Sequence, residues 1–178
     1  GPIAVPRGSF YQVNTEVADM LMDHVASVLK SCGAGAVIDL YSGVGMFGLL
    51  AARNGIARVQ GVESDRHAVQ AAQYNAAQLG CADIATFTAG DALRVLPGIA
   101  NACPSGATAV ILDPPRGGLD ARMRRALLAF GPRTIIYISC AADMLARDLP
   151  AFIEGGYRLA GVRLFDMFPR TAHFETVA

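Results

Sequence analysis

Five short apolar runs, most of them followed by a helical stretch, limit what this chain can fold into. The runs cover residues 36–40, 57–62, 84–88, 107–112 and 133–139. Helical spacing or capping residues mark 15–29, the stretch from Gly45 to about Arg53, 65–79, 120–130 and 143–153. Strands alternating with helices imply an α/β fold with a doubly wound, mostly parallel sheet. Two further runs, 157–165 and 172–177, are joined by a turn at Met167-Phe168-Pro169. That connection is too short for a right-handed crossover, so these two strands are expected to pair antiparallel and complete a sheet of seven.

In an open α/β sheet, ligands sit beyond the carboxyl ends of the strands. Five of the runs end in glycine or polar residues: Asp39 to Gly45, Glu63, Asp91, Asp113 to Arg116, and Cys140. We expect them to form one site. Gly43-Val44-Gly45-Met46-Phe47-Gly48 fits G-x-G-x-x-G between a strand and a helix, and Glu63 follows Gly43 by 20 residues at the next strand end. Glycines let the backbone approach a ligand, and such an acid accepts hydrogen bonds from ribose hydroxyls. The pattern suits a dinucleotide or S-adenosylmethionine. Asp39, just before the loop, favours the latter, because a carboxylate repels pyrophosphate and suits an ammonium or sulfonium.

Asp113-Pro114-Pro115-Arg116 is a stiff loop, since two prolines fix φ and remove two donors. It is expected to position a substrate or the methyl donor. Cys140 ends the run Tyr137-Ile138-Ser139 and precedes a helix, a placement expected to lower its thiol pKa. Cys32, Cys81 and Cys103 lack that context and read as structural or incidental. His173 and Glu175 point to one face of the last strand and Phe174 to the other. That pattern suits a solvated edge or, with Glu175 as general base, a functional face.

Composition narrows the classes. With 178 residues, 53% hydrophobic and 17% charged, the chain suits one globular domain. It has no apolar run long enough for a membrane span and no secretory signal pattern. Widely spaced cysteines without C-x-x-C fit a reducing cytoplasm and argue against a zinc site. Residues 1–113 hold six basic and nine acidic side chains; residues 114–178 hold nine arginines and six acids. Arginine forks suit phosphate.

Taken together, these motifs resemble the catalytic domain of the S-adenosylmethionine-dependent RNA uracil-C5 methyltransferases, which make 5-methyluridine in tRNA or rRNA. The resemblance rests on Phe10-Tyr11-Gln12-Val13-Asn14, Asp39-Leu40-Tyr41-Ser42-Gly43-Val44-Gly45, Gly61-Val62-Glu63 and Asn75-Ala76. It continues through Asp113-Pro114-Pro115-Arg116, Tyr137-Ile138-Ser139-Cys140, Arg147-Asp148-Leu149 and Asp166 to Glu175. It implies a Rossmann-like methyltransferase fold over residues 33–178, with 1–32 as an N-terminal segment and helix packed on it. Gln12, Tyr41, Gly43, Gly45, Glu63, Asp91 and Asp113 would then serve the methyl donor. Cys140 would be the nucleophile and Glu175 the base, and Arg116, Phe168 and Arg170 would hold a flipped nucleotide. Cys140 and Glu175 can flank one base only if their strands are neighbours.

The chain departs from the family at Met46, where Asn is usual, and at Ala141-Ala142, where Asn-Pro or Asp-Pro follows the cysteine. The family's N-terminal RNA-binding domain is absent from these residues, so the resemblance implies a fragment or a reduced version. An RNA cytosine-C5 methyltransferase is the nearest rival, but it places a cysteine in the loop after the fourth strand, and none is present here. A nicotinamide-dependent oxidoreductase leaves Cys140 unexplained. A binding module of the same fold with weakened catalysis is the alternative from another class.

Overall fold

The computed structural model describes residues 15–167 and 174–178. In chain order the elements are α1 (Thr15–Cys32), β1 (Ala36–Leu40), α2 (Met46–Arg53), β2 (Arg58–Glu63), α3 (Arg66–Gln78), β3 (Ala85–Ala89), α4 (Ala92–Ala100), a 3-10 turn (Ser105–Ala107), β4 (Thr108–Leu112), α5 (Ala121–Phe130), β5 (Thr134–Ser139), α6 (Ala142–Glu154), β6 (Arg163–Phe165) and β7 (Glu175–Val177). The seven strands lie in the order β3-β2-β1-β4-β5-β7-β6. The first five pair parallel, and β7 runs antiparallel to both β5 and β6. This is the doubly wound sheet that the sequence predicts.

Period-two alternation feeds both faces of the sheet. Val37, Ile111, Ile136 and Ile138 point into a core shared with Leu21 and Leu29 of α1, Leu49 of α2 and Val69 of α3. Ile38, Val110, Leu112 and Tyr137 point into a second core with Leu96 of α4, Leu127 of α5 and Phe152 of α6. Both faces of the central strands are therefore covered, which explains why β1 and β4 are apolar almost throughout. Helix α1 ends at Cys32, and its apolar face belongs to the first core.

Two stretches differ from the sequence reading. Residues 92–100 form a helix that the sequence reading leaves out, because Pro97-Gly98 interrupt the pattern. The signal was Asp91, whose carboxylate accepts from the Arg94 N–H and caps α4. The strand expected at 157–165 is only three residues long. A strand needs a hydrogen-bonding partner, and β6 finds one only at Arg163↔Val177, Leu164↔Thr176 and Phe165↔Glu175. Of the turn expected at Met167-Phe168-Pro169, Phe168 and Pro169 lie outside the described residues.

The chain order reverses between β1 and β4, which are hydrogen-bonded neighbours with Leu40 opposite Leu112. That switch point opens a crevice between the loops after the two strands. Glycine lets those loops pack close. The Phe87 ring of β3 fills the space where side chains on Gly45 and Gly61 would stand, and Asp39 and Val59 crowd the same space at Gly48. Replacing Gly61 with Ala drives a methyl into that ring, so we expect a loss of about 1–3 kcal/mol in urea unfolding. Unchanged stability would show that Phe87 yields without cost.

Candidate active site

A cleft of about 520 Å³ lies at the switch point. Tyr41 and Gly43 after β1, Glu63 at the end of β2, Asp113 and Arg116 after β4, Cys140 after β5, and Glu175 of β7 all line it. Most of the sequence-predicted strand ends thus meet in one place. A larger hollow of about 820 Å³ runs along Arg133, residues 134–137 of β5 and residues 155–163, and it holds none of the candidate residues. The candidate residues that fall within a cleft fall within the smaller one.

The glycine loop is held from below. Ser42 N–H donates to the Val62 carbonyl at 3.0 Å and Gly45 N–H to the Ser42 carbonyl at 2.8 Å. Gly43 N–H donates to Glu63 Oε2 at 3.0 Å, while Asp65 N–H and the Ser64 hydroxyl donate to Glu63 Oε1 at 2.9 Å. Glu63 therefore fixes the loop; Oε1 already accepts two hydrogen bonds, while Oε2 keeps a further lone pair for a ligand. Tyr41 has a φ of 65°, the one positive φ outside glycine among the described residues. A bulky residue rarely adopts that conformation, and it marks a constrained functional turn. Burial, with the charges of Asp120 and Asp91, pushes the Tyr41 phenol up to about 12.

Asp39 does not act as the sequence reading expects. It is 0% exposed and lies behind the loop rather than in the cleft. Strand alternation places it on the Val37 side, under α2. There its Oδ2 accepts from the Gly48 N–H at 2.8 Å, while Oδ1 has no partner among the described residues. Helix α2 begins at a glycine with no capping side chain, so Asp39 supplies the cap from the strand. Burial pushes its pKa up to about 7, against the hydrogen bond from Gly48. Asp91 is also outside the cleft, tied to α4 as its cap. Gly45, packed against Phe87, shapes the loop without lining the cleft.

The acids that do line the cleft crowd one another. Asp113 is pushed up to about 8 by burial, Glu175, Asp39 and Glu63. Glu175 is 3% exposed, with Oε2 unpartnered among the described residues, and burial raises its pKa against the pull of Arg116. The Cys140 thiol moves opposite to the sequence expectation. Burial and the charges of Glu175 and Asp113 raise its pKa, outweighing Arg116. The expected lowering by a helix N-terminus is thus overridden by two neighbouring carboxyls and a partly dry surface.

The neighbour condition is met. Ser139 pairs with Thr176, and one further step along the antiparallel register sets Cys140 against Glu175. Ser139 also closes the turn around Cys140: its hydroxyl donates to the Ala141 carbonyl at 2.9 Å and accepts from the Ala141 N–H at 3.2 Å. Gln12, Phe168 and Arg170 lie outside the described residues. The sequence reading missed one wall of the cleft, formed by Ala18, Leu21 and Met22 of α1. Their helical spacing showed a buried face but not that its upper edge borders a ligand. Among the described residues, no helix is long and apolar enough to cross a membrane, and no group of three or more His, Cys, Asp or Glu is placed to hold a metal.

The strand order and the cleft at the switch point define a Rossmann-like methyltransferase fold. The METTL16 methyltransferase domain, at 15% identity over 98% of this chain and 71% of that one, shares it with a TM-score of 0.76. A family model described as tRNA (Uracil-5-)-methyltransferase matches residues 4–178, and the chain belongs to that family. A 23S rRNA (uracil(747)-C(5))-methyltransferase of Shewanella amazonensis is 38% identical over 177 residues, 99% of this chain and 44% of the relative. An uncharacterized RNA methyltransferase of Halalkalibacterium halodurans is 38% identical over 98% of this chain and 38% of its own length. The crystal structure of Pyrococcus abyssi tRNA (uracil-54, C5)-methyltransferase in complex with S-adenosyl-L-homocysteine superposes with a TM-score of 0.81 at 33% identity, covering 96% of this chain and 39% of that one. The chain spans less than half the length of these three proteins.

A carboxyl whose folded-state pKa lies above its unfolded value stabilises the fold while protonated. For Asp39 that contribution is complete below about 3.8 and is lost as the pH rises through about 7. Asp39→Asn keeps the acceptor for Gly48 and cannot ionise. We expect it to be more stable than the parent at pH 8 by on the order of 1–2 kcal/mol, with the gap closing by pH 5 in urea titrations. A gap that does not change with pH would show that Asp39 is ionised throughout.

Proposed function

We propose that this domain transfers a methyl group from S-adenosylmethionine to C5 of a uridine in RNA, tRNA or rRNA, through a covalent adduct between Cys140 and C6 of the base. The observation that carries the reading is the meeting of Cys140, Glu175 and the glycine loop in one cleft, which the β5–β7 pairing produces. The charge of the cleft fits the donor. Glu63, Asp65, Asp113 and Glu175 line it, against Arg116 as the sole lining cation among the described residues. Such a surface suits a sulfonium and an ammonium and repels a pyrophosphate. When bound, the cofactor supplies an electrophilic methyl group.

The residues then divide the work. Uracil C5 is a weak nucleophile. The Cys140 sulfur would bond to C6, moving the electron pair of the C5–C6 bond toward C5 and O4 and making C5 nucleophilic toward a sulfonium methyl held over the glycine loop, whose bonding pair would stay with the departing thioether. Glu175 takes the C5 proton, the C5–C6 double bond re-forms, and the Cys140 thiolate leaves. Burial of Glu175 makes it a stronger base than an exposed carboxylate, which suits proton abstraction near neutral pH. Arg116 lowers the pKa of both Cys140 and Glu175 and so favours the thiolate. The target uridine leaves its stack to offer both faces. Tyr41, Gly43, Glu63 and Asp113, with Gln12, are assigned to the donor, while Gly45 shapes the loop and Asp91 caps α4; Arg116, Phe168 and Arg170 are assigned to the nucleotide.

Cys140→Ala is expected to cut methylation at least about a thousandfold while leaving S-adenosylmethionine binding intact. Glu175→Gln is expected to accumulate the RNA adduct, seen by mass spectrometry as a mass increment on the Cys140 peptide. Glu63→Ala is expected to weaken donor binding roughly 10- to 100-fold by calorimetry. Turnover surviving in the first variant, or unhindered product release in the second, removes that residue from its role. The raised thiol pKa favours one other reading, a binding module with weakened catalysis. RNA containing 5-fluorouridine that binds without forming an adduct at Cys140 would establish that reading instead.

A further inference from the structure

Behind the cleft, a buried ionic cluster joins the loop after β4 to the strand before Cys140. Its centre is Asp148 of α6, 0% exposed. Asp148 Oδ2 accepts from the Leu119 N–H at 2.7 Å and from the Tyr137 hydroxyl at 2.8 Å. Its Oδ1 accepts from Arg124 Nη1 and, at 2.9 Å, from Arg147 Nε. The two arginines then reach back to the loop. Arg147 Nη2 donates to the Gly117 carbonyl at 2.9 Å and the Leu119 carbonyl at 3.1 Å, and Arg124 Nη1 donates to the Leu119 carbonyl at 2.6 Å. Burial alone pushes the Asp148 carboxyl up, but hydrogen bonds from Arg147, the Leu119 N–H and Tyr137 hold it below the usual carboxylate range. Gly118, at φ 67°, passes so close that a side chain there would meet Asp148 Oδ2 at 2.7 Å and Arg147 Nη2 at 2.8 Å.

The cluster touches the cleft nowhere: Arg124, Tyr137, Arg147 and Asp148 are not among its lining residues. Yet it clamps both sides of the candidate nucleophile. Leu119 comes three residues after Arg116, and Tyr137 three residues before Cys140. We propose that Asp148 and Arg147 are positioning residues that hold the Arg116 loop against the Cys140 strand and so set the reactivity of the thiol. The alignment of Arg116 with Cys140 rests on five hydrogen bonds from the cluster to the loop backbone and strand. The groups that face Cys140 are Glu175 from β7, Asp113 and Arg116 from the loop after β4, and Tyr41 and Glu63 across the cleft, with Asp143 in the first turn of its own helix. The charges that act on the thiol are Glu175, Arg116 and Asp113, and those of the cluster are not among them. A change at Arg147 therefore reaches the thiol through the loop rather than through its own field. The proposal bears on turnover only if Cys140 is the nucleophile, but its test does not require that.

The test is iodoacetamide alkylation of Cys140 in the whole chain, followed from pH 7 to 10 by mass spectrometry of its peptide, with thermal unfolding alongside. Arg147 is partly exposed, so Arg147→Ala is expected to fold. It should slow alkylation at pH 8 about two- to fivefold, the effect of a fraction of a pK unit. Arg116→Ala should slow it to a similar degree, and the double variant should be no slower than Arg116→Ala alone. Asp148→Asn should behave as Arg147→Ala does; if it fails to fold, Arg147→Ala decides. Alkylation unchanged in Arg147→Ala, even with a lower melting temperature, would reduce the cluster to a structural anchor. Effects of Arg147→Ala and Arg116→Ala that multiply would show that it does not act through Arg116. Neither result touches the methyltransferase reading, which stands or falls on the adduct.

Discussion

The cleft depends on a single hydrogen bond hidden beneath it, from the Gly48 N–H to the buried carboxyl of Asp39. A helix that begins in glycines has no side chain to satisfy its first N–H groups. Here the preceding strand provides one, nine residues upstream. That bond pins α2 over β1, and the pinned helix holds Gly43 and Gly45 in their left-handed turns. Glu63 then closes the loop from the neighbouring strand. The rest of the site is arranged around a surface fixed in this way, with Phe87 filling the space the glycines leave.

The second organising contact is β5 against β7. The parallel strands alone bring four strand ends to the switch point, but they bring no base to the cysteine. An antiparallel strand inserted between β5 and β6 reverses direction, so its beginning rather than its end faces the cleft. Glu175 can stand beside Cys140 only because of that reversal. The same insertion buries the carboxyl, which makes it basic, and among the described residues one of its oxygens has no partner.

Much of this was legible in the sequence, and the parts that were not share a cause. Strand runs such as 36–40 and the glycine loop follow from local pattern, and the antiparallel pairing of the last two strands follows from their short connection, whereas the strand order does not. The helix at 92–100 was hidden because Pro97 is a strong local signal that tertiary packing of Leu96 overrides. Asp39 and Asp91 were read as ligand groups because sequence shows that an acid ends a strand, not which way it points. The thiol of Cys140 was expected to be acidic from its helix alone. Its raised pKa comes first from burial and then from Glu175, 35 residues away, and Asp113, surroundings that spacing does not show. Arg147-Asp148-Leu149 belongs to the resemblance, but nothing in the local sequence says that two arginines and a tyrosine converge on Asp148.

Crowded carboxyls have one more consequence. Burial and three other acids push the Asp113 pKa up to about 8, which favours its protonated form at neutral pH. A cationic ligand reverses that balance by favouring the ionised form. Association is then an exchange, in which a cation enters and a proton leaves. By linkage, the affinity of the cleft for a cation climbs as the medium turns alkaline, and the heat of binding carries the ionisation heat of whichever buffer takes up the proton.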